Sequence, residues 1–227
     1  KKGLFQWLEK EDADFICLQE VRAQIDDMKL DAFWPEGYFC HHEVAEKKGY
    51  SGTALFSKLE PIEVTRGLGS DEFDIEGRYI ECRFKDFVIA SAYFPSGSSG
   101  DARQEAKYRF LDIFRKKLES MNNKKISYLF CGDVNIVHKE IDITNWKANQ
   151  KNSGCLPEER AWLDQVFNTL KCIDGFRAIN AESEQYTWWS NRGNAWANNV
   201  GWRIDYQIFN NHFGYKVRSA SIYKDER

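Results

Sequence analysis

The chain has 227 residues, is 42% hydrophobic and carries a formal net charge of −3 at pH 7. This length suits one large core, and no Pro/Ser-rich or charge-run segment offers a linker, so we predict a single domain over residues 1–227. The slightly acidic balance argues against a protein that coats nucleic acid by bulk positive charge. Any nucleic-acid site must therefore be a local patch.

The sequence gives no sign of membrane insertion or export. The longest apolar stretches, such as residues 87–94, are far too short for a membrane span, and the start of the chain lacks the apolar core of a signal peptide. The six cysteines are scattered without CxxC spacing, which is typical of buried, reduced thiols. We therefore expect a cytoplasmic protein that contacts no membrane.

The first part of the chain predicts one helix and several strands. Apolar residues recur at helical spacing over residues 4–10, and the compact apolar run 15–18 predicts a strand that delivers Glu20 at its carboxyl end. Further strands are predicted at residues 53–57, 79–84 and 87–94. The tight link Lys85-Asp86 makes the last two an antiparallel hairpin.

The rest of the chain adds two helices and more strands. Residues 101–121 predict an amphipathic helix with Phe110, Phe114 and Leu118 on its apolar face, and Pro157 in a first turn predicts a helix over residues 157–170. Strands are predicted at residues 126–131, 203–209 and 217–223. Many short antiparallel strands with few helices predict two sheets packed face to face with helices outside, an α/β sandwich.

Polar side chains follow two of these apolar strands. Because extended residues alternate faces, Asp133 and Asn135 are expected to project together where the strand 126–131 ends. A carboxylate and an amide in one cleft suit a phosphate site, although a simple turn cap explains the same pattern. Glu20 is equally ambiguous, since strand ends often carry a solvated acid, yet Mg²⁺ is commonly held by one or two carboxylates, water and phosphate.

Seven segments, taken together and in order, resemble the exonuclease III family of abasic-site endonucleases. The resemblance covers nearly the whole chain, and the asparagine segment leads into Pro157-Glu158-Glu159-Arg160. The segments are Leu18-Gln19-Glu20-Val21-Arg22, residues 49–57, Glu76-Gly77-Arg78, Ala92-Tyr93-Phe94-Pro95, Cys131-Gly132-Asp133-Val134-Asn135-Ile136, residues 149–152 and residues 199–206.

The resemblance implies a DNase I-like fold, a four-layered α/β sandwich of two mostly antiparallel sheets, with a DNA-cutting site. Glu20 is similar to the metal ligand of the family, for Mg²⁺ or Mn²⁺. Asp133 is similar to the group that activates or positions the attacking water, Asn135 to a donor to the scissile phosphate, and Tyr93 to a phenol that contacts the phosphate. Such groups suit in-line displacement at phosphorus.

The resemblance also implies a set of DNA contacts on the backbone and near the minor groove. They are Arg22, Tyr50, Arg78, Asn149 and Asn152. At the position of Arg22 the family often has lysine, so the charge is kept and the geometry altered.

A small apolar pocket for a base-less sugar flipped out of the helix is implied at Trp188, Trp202 and Ile204. For the two tryptophans, plain core packing is the alternative.

Asp205 is similar to the acid that orients a histidine in the family, but the closing Ser-Asp-His motif and the opening Asn-x-Asn/Asp-Gly motif do not occur in the 227 residues. A chain without those first and last strands is expected to turn over slowly or not at all.

The function implied is hydrolysis of the DNA backbone 5′ of abasic sites, with 3′-phosphatase and 3′-to-5′ exonuclease activity on blocked 3′ ends. A monomeric bacterial enzyme, associated with the nucleoid through its substrate, fits the compact chain. One alternative is a catalytically silent nucleic-acid-binding regulator on the same fold, like the catabolite repression control proteins. Another is a relative that acts on inositol phosphates, sphingomyelin or poly(A).

Overall fold

A computed structural model describes residues 3–29, 31–213 and 217–224. The chain forms two compact units, residues 1–93 with 223–227 and residues 94–222. No helix within the described ranges is both long and apolar enough to cross a membrane. All six cysteines are free thiols; Cys82, Cys155 and Cys172 are buried, as the sequence predicts, whereas the other three are partly buried.

The described elements are short, apart from one long helix. The helices are α1 (Leu4–Glu11), α2 (Asp71–Asp74), α3 (Asp101–Asn123), α4 (Trp146–Asn149) and α5 (Pro157–Asp164), with 3₁₀ turns at Ile25–Asp27, Asp31–Phe33 and Glu140–Asp142 and a π-helical turn at Gln165–Thr169. The strands are β1 (Phe15–Gln19), β2 (Phe39–Glu43), β3 (Thr53–Ser57), β4 (Glu63–Arg66), β5 (Tyr79–Arg83), β6 (Phe87–Tyr93), β7 (Ser127–Asp133), β8 (Ile173–Asp174), β9 (Trp188–Trp189), β10 (Gly201–Trp202) and β11 (Asp205–Phe209).

The first unit contains two antiparallel sheets that pack face to face. One has the order β1-β3-β2, and the fully buried β3 is its centre. In the other, β4 pairs with β5 and β5 pairs with β6, which confirms the predicted hairpin. Strand β3 contacts both β5 and β6 across the layers. All five residues of β3, including the polar Thr53 and Ser57, are buried, so the strand has no face exposed to solvent.

The second unit is built around aromatic packing between α3 and β7. The rings of Phe94, Phe110 and Phe114 lie within 6.1 Å of one another, centroid to centroid. Phe130 of β7 and Trp162 of α5 contact the same cluster. The helical spacing that predicted α3 therefore marks the face that buries this cluster. Strand β11 pairs antiparallel with both β7 and β8.

Three secondary-structure predictions need correction. The described residues 217–224 contain no strand, because an extended segment needs a neighbour for its backbone groups and no described strand pairs with it. The helix predicted over 157–170 changes from α to π at Gln165. Strands β2 and β4 were missed, since their polar residues hide the period-two pattern.

A buried charge network in the second unit holds loops beside β11. The Arg203 guanidinium, 1% exposed, donates from Nε to Asp142 Oδ1 and from Nη2 to Asp174 Oδ2, both at 2.7 Å. Arg177 donates to the same Asp142 oxygen at 2.8 and 3.0 Å. Burial alone would raise the pKa of the Asp142 carboxyl, but Arg203 and Arg177 outweigh burial and hold that pKa below its usual range.

We expect Asp142→Asn to lower the free energy of unfolding by about 3–5 kcal/mol at pH 7, because it removes the carboxylate that Arg177 and Arg203 share and leaves the buried Arg203 with Asp174 alone. Since the folded-state pKa is depressed, the contribution of Asp142 is present above its unfolded pKa of about 3.9 and is lost as the pH falls through the folded value. Urea unfolding at several pH values measures both effects. Glu140→Gln, an exposed carboxylate in the same 3₁₀ turn, is the control and should change stability by less than about 0.5 kcal/mol.

Candidate active site

The first group of predicted residues lies where β1 and β6 end, in the first unit. Glu20 follows β1 in a left-handed conformation, with φ of 53°. Its Oε1 accepts a hydrogen bond from Arg22 Nη2 at 2.7 Å and from the Tyr93 hydroxyl at 2.5 Å. The structure therefore brings the predicted metal ligand together with the predicted phosphate-contacting phenol and the basic residue.

Side-chain hydrogen bonds between the two sheets of the first unit fix this group. Gln19 Nε2 donates to Ser91 Oγ at 2.9 Å, and Ser91 Oγ donates to the Leu18 carbonyl at 3.0 Å. These bonds tie the end of β1 to β6, two residues before Tyr93. The backbone N–H of Arg22 donates to the Ser51 carbonyl at 2.8 Å. Glu20 is thus held by bonds on both sides of its turn.

Arg78 lies beneath the tyrosines of this group. Its side chain is 3% exposed and ion-paired with Glu76. Its Nη1 donates to the Tyr93 carbonyl and its Nη2 to the Tyr50 hydroxyl, each at 3.0 Å, and its guanidinium carbon lies 4.9 Å from the Tyr93 ring centroid. Arg78 therefore fixes both tyrosines from within the unit, and its predicted contact with the DNA backbone stays a prediction.

The donor set of this group fits a hard divalent cation. Glu20 is 44% exposed at its side chain, and its Oε2 has no hydrogen-bond partner among the described residues. Within those residues no three His, Cys, Asp or Glu side chains gather as a metal cage. One exposed carboxylate is what Mg²⁺ needs when water and phosphate supply the other ligands. Glu20 also raises the pKa of Arg22 by its hydrogen bond and charge, which keeps the guanidinium protonated.

The second group of predicted residues lies at the end of β7, in the second unit. Asp133 is the last residue of β7, and its Oδ1 accepts the backbone N–H of Asn135 at 2.9 Å. Asn135 has φ of 57° and donates from Nδ2 to the Phe94 carbonyl at 3.0 Å. Asp205 is the register partner of Asp133 across β11, so the two acids share one face of the sheet. Asp133 therefore caps the turn at the end of β7 and also lies in a cluster of polar side chains.

Asn149 and Asn152 form a compact turn around the end of α4. Asn152 Nδ2 donates to Asn149 Oδ1 at 2.9 Å, and Asn149 Nδ2 donates to the carbonyls of Thr144 and Asn145, each at 3.1 Å. Both asparagines are partly or fully exposed. Their remaining polar groups can therefore reach a ligand in solvent.

The three residues of the predicted sugar pocket adjoin one another. Trp188 and Trp202 are register partners on β9 and β10, with ring centroids 6.1 Å apart in an edge arrangement. Trp188 is 45% exposed, whereas Ile204 is buried with Ile143 and packs against Trp202. The buried Ile204 and the half-buried Trp202 thus form the inner wall of this surface, and Trp188 forms its exposed rim.

Two buried charged residues beside the group at the end of β7 were not predicted from the sequence. Lys107 and Glu159 are each 0% exposed and 2.5 Å apart. The helical pattern assigned charged residues of α3 to solvent, but Lys107 is on the buried face, one turn before Phe110 and Leu111. That position on the apolar stripe is the signal that could have marked it.

Comparison with known proteins agrees with this arrangement. Residues 1–226 match the model of the Endonuclease/Exonuclease/phosphatase family, and the chain belongs to that family. An exodeoxyribonuclease of Bacillus subtilis (strain 168) is 37% identical over 226 residues, 99% of this chain and 88% of that protein. The DNA repair nuclease APEX1 of Danio rerio is 38% identical over 213 residues, 92% of this chain and 67% of that protein. An AP endonuclease structure from Archaeoglobus fulgidus is similar with a TM-score of 0.79 at 22% identity, covering 91% of this chain and 80% of that one.

These similarities confirm the family resemblance and the predicted fold class, an α/β sandwich. They also confirm the prediction of a nuclease enzyme, since the relatives carry nuclease names. The family is one of divalent-metal-dependent nucleases. The alternative of a silent binding protein finds no support among these relatives.

We expect Arg78→Lys to lower the free energy of unfolding by about 1–3 kcal/mol, because a single ammonium cannot reach the acceptors that the guanidinium fork reaches together. Nuclease activity should fall as well, since the Tyr93 backbone loses its donor. Thermal unfolding and a cleavage assay measure the two effects. Arg66→Lys is the control, because Arg66 forms an exposed ion pair with Glu43 in the same unit; an equal loss there would contradict the special position of Arg78.

Proposed function

We propose that this protein is a DNA-repair nuclease that hydrolyses the backbone of double-stranded DNA 5′ of abasic sites. We include 3′-phosphatase and 3′-to-5′ exonuclease action on blocked 3′ ends in the proposal. The names of the relatives, exodeoxyribonuclease and DNA repair nuclease, support DNA as the substrate. We further propose that the protein is a monomer and that it acts in the cytoplasm, where its substrate would be the chromosome.

One observation carries the proposal. A single oxygen of the exposed Glu20 carboxylate, Oε1, accepts hydrogen bonds from both the Tyr93 hydroxyl and the Arg22 guanidinium. A carboxylate, a phenol and a cation at the ends of two strands combine affinity for a cation with donors for a phosphate. A module that only binds nucleic acid by charge does not need the carboxylate, which repels phosphate.

The proposed roles in the second unit follow from hydrogen-bond capacity. Asp133 would accept a proton from the attacking water, as a carboxylate within reach can. Asn135 has a second amide hydrogen beyond the one donated to Phe94, and it would donate that hydrogen to a non-bridging phosphate oxygen. Water oxygen would join phosphorus as the P–O3′ bond breaks, and the leaving oxygen would take up a proton to give a 3′-hydroxyl.

Glu20 would hold Mg²⁺ or Mn²⁺, which supplies charge stabilisation to phosphate oxygens when bound. Tyr93 donates its one hydroxyl hydrogen to Glu20 Oε1 here, and it would donate that hydrogen to a phosphate oxygen instead when substrate is bound. Arg22 would balance the charge of Glu20 and attract the backbone.

Selectivity for a lesion would come from the apolar surface of Trp188, Trp202 and Ile204. A base-less sugar is small and poorly solvated, so it can be extruded where pairing is already lost. A nucleotide with its base requires more room and more unstacking free energy. Tyr50, Arg78, Asn149 and Asn152 complete the proposed set of DNA-binding residues.

The first test is cleavage of a duplex that carries one tetrahydrofuran abasic analogue, with Mg²⁺, Mn²⁺ or EDTA. The 227-residue chain and any longer product of its reading frame should be assayed side by side. We expect metal-dependent cutting 5′ of the lesion by at least one of these forms, with an intact duplex left uncut in the same time. Tight DNA binding without cutting by any form would overturn the proposal.

A second test assigns the roles of two carboxylates. Glu20→Gln should raise the Mg²⁺ concentration needed for half-maximal cleavage by about tenfold or more, because a neutral amide binds a cation more weakly. Asp133→Asn should lower the maximal rate by about 10²–10⁴-fold without that shift in metal requirement. The exposed Glu9→Gln and Asp112→Asn are matched controls. Equal metal responses for the two site variants would contradict the assignment.

A further inference from the structure

A buried ion pair joins α3 and α5 in the second unit. Lys107 Nζ lies 2.5 Å from Glu159 Oε1, and both side chains are fully buried. Removing two charges from water costs about as much as their attraction returns, so such a pair is weak evidence for stability. The role of the pair is therefore inferred from the other groups that Lys107 and Glu159 bind.

Each member of the pair also binds backbone of a predicted DNA-facing segment. Lys107 Nζ donates to the Asn135 carbonyl at 2.8 Å. Glu159 Oε2 accepts the backbone N–H groups of Gly154 at 2.6 Å and Leu156 at 3.0 Å. The pair thus connects the turn that carries Asp133 and Asn135 with the segment that follows Asn152.

The two segments also touch each other directly. The Val137 N–H donates to the Gly154 carbonyl at 2.8 Å. Gly154 has φ of 91°, and a Cβ there would lie 3.0 Å from the Asn135 carbonyl oxygen. This close approach leaves the Asn135 carbonyl little room to move, and Lys107 is its charged donor.

We propose that the Lys107–Glu159 pair positions the catalytic turn, by holding the Asn135 carbonyl on one side and the Gly154 backbone on the other. The inference rests on the proposed function for the role of Asn135. Neither residue touches substrate; both act through Asn135 and the asparagine segment, as positioning residues.

The conformation of Asn135 explains why a charged donor is used. A left-handed residue other than glycine is held in place by its surroundings, and here the side chain of Asp133, the Phe94 carbonyl and Lys107 all bind Asn135. Hydrogen bonds from an ionised donor are stronger than neutral ones. Burial lowers the pKa of Lys107, while Glu159 and Asp133 act in the opposite direction, so Glu159 supports the charge on which the bond to Asn135 depends.

The test uses two variants that separate positioning from stability. Lys107→Met removes the donor to Asn135 and leaves the Glu159 carboxylate without its cation. Lys107→Met/Glu159→Gln removes both charges but keeps an oxygen for the Gly154 and Leu156 N–H groups. Gln104 donates from Nε2 to Glu159 Oε1 at 3.1 Å, and its own Oε1 is buried without a partner. Turning the Gln104 amide by 180° would present that oxygen as an acceptor for the amide that the second substitution introduces.

We expect Lys107→Met to lose thermal stability and the double variant to recover most of it. The single-turnover rate of cleavage should stay about 10–100-fold below the unsubstituted protein in both, with the apparent KM for the abasic duplex changed by less than about threefold. Recovery of the rate together with stability would overturn the proposal, because the pair would then be structural alone. Leu118→Ala, a buried change on the same helix, should lose stability and keep its rate at temperatures below its unfolding.

Hydrogen exchange gives a second readout that needs no cleavage. In the double variant, exchange should increase at residues 134–137 and 149–156 and stay unchanged in α1 and β3. Unchanged exchange in both segments would overturn the positioning role even if no form of the protein cut DNA. Increased exchange without any cleavage by the unsubstituted protein would instead reject the proposed function and keep the structural link.

Discussion

The free energy required to bury a cation is the constraint on which the arrangement of this protein depends. Among the residues that the structure describes, three cationic side chains lie almost without solvent exposure: Arg78, Lys107 and Arg203. A buried charge is tolerated only when counter-charges and hydrogen bonds replace water. Each of the three therefore collects acceptors from several segments of its own unit, and those segments include the predicted functional residues.

The acceptors of these three cations are backbone carbonyls, a hydroxyl and carboxylates. Arg78 binds the Tyr93 carbonyl and the Tyr50 hydroxyl, and Lys107 binds the Asn135 carbonyl. Arg203 binds the carboxylates of Asp142, in a 3₁₀ turn, and of Asp174, at the end of β8. Arg78 and Lys107 act next to the ends of β6 and β7. The functional groups are thus carried by turns that buried ion networks support.

Left-handed residues mark the same points in the chain. Glu20, Arg22 and Asn135 have positive φ, and the first and third come within two residues of the end of a strand. A strand alternates its side chains between two faces, whereas a left-handed residue turns the chain abruptly and re-aims the next side chains. Polar groups can then gather at a strand end without interrupting the apolar pattern within the strand. This explains why the apolar runs predicted the strands well while their ends carry the chemistry.

The sequence by itself determined the strands with strong apolar patterns, the long helix α3 and, through seven ordered segments, the family and its candidate residues. Periodicity suffices for these because β3, β6 and α3 bury whole faces, and burial imposes a period on the sequence. The tertiary structure alone decided that Lys107 is buried, that Arg78 lies beneath two tyrosines, and that residues 217–224 form no described strand. A local pattern cannot supply such facts, because whether a charge is buried depends on partners such as Glu159 and Asn135, which are tens of residues away along the chain.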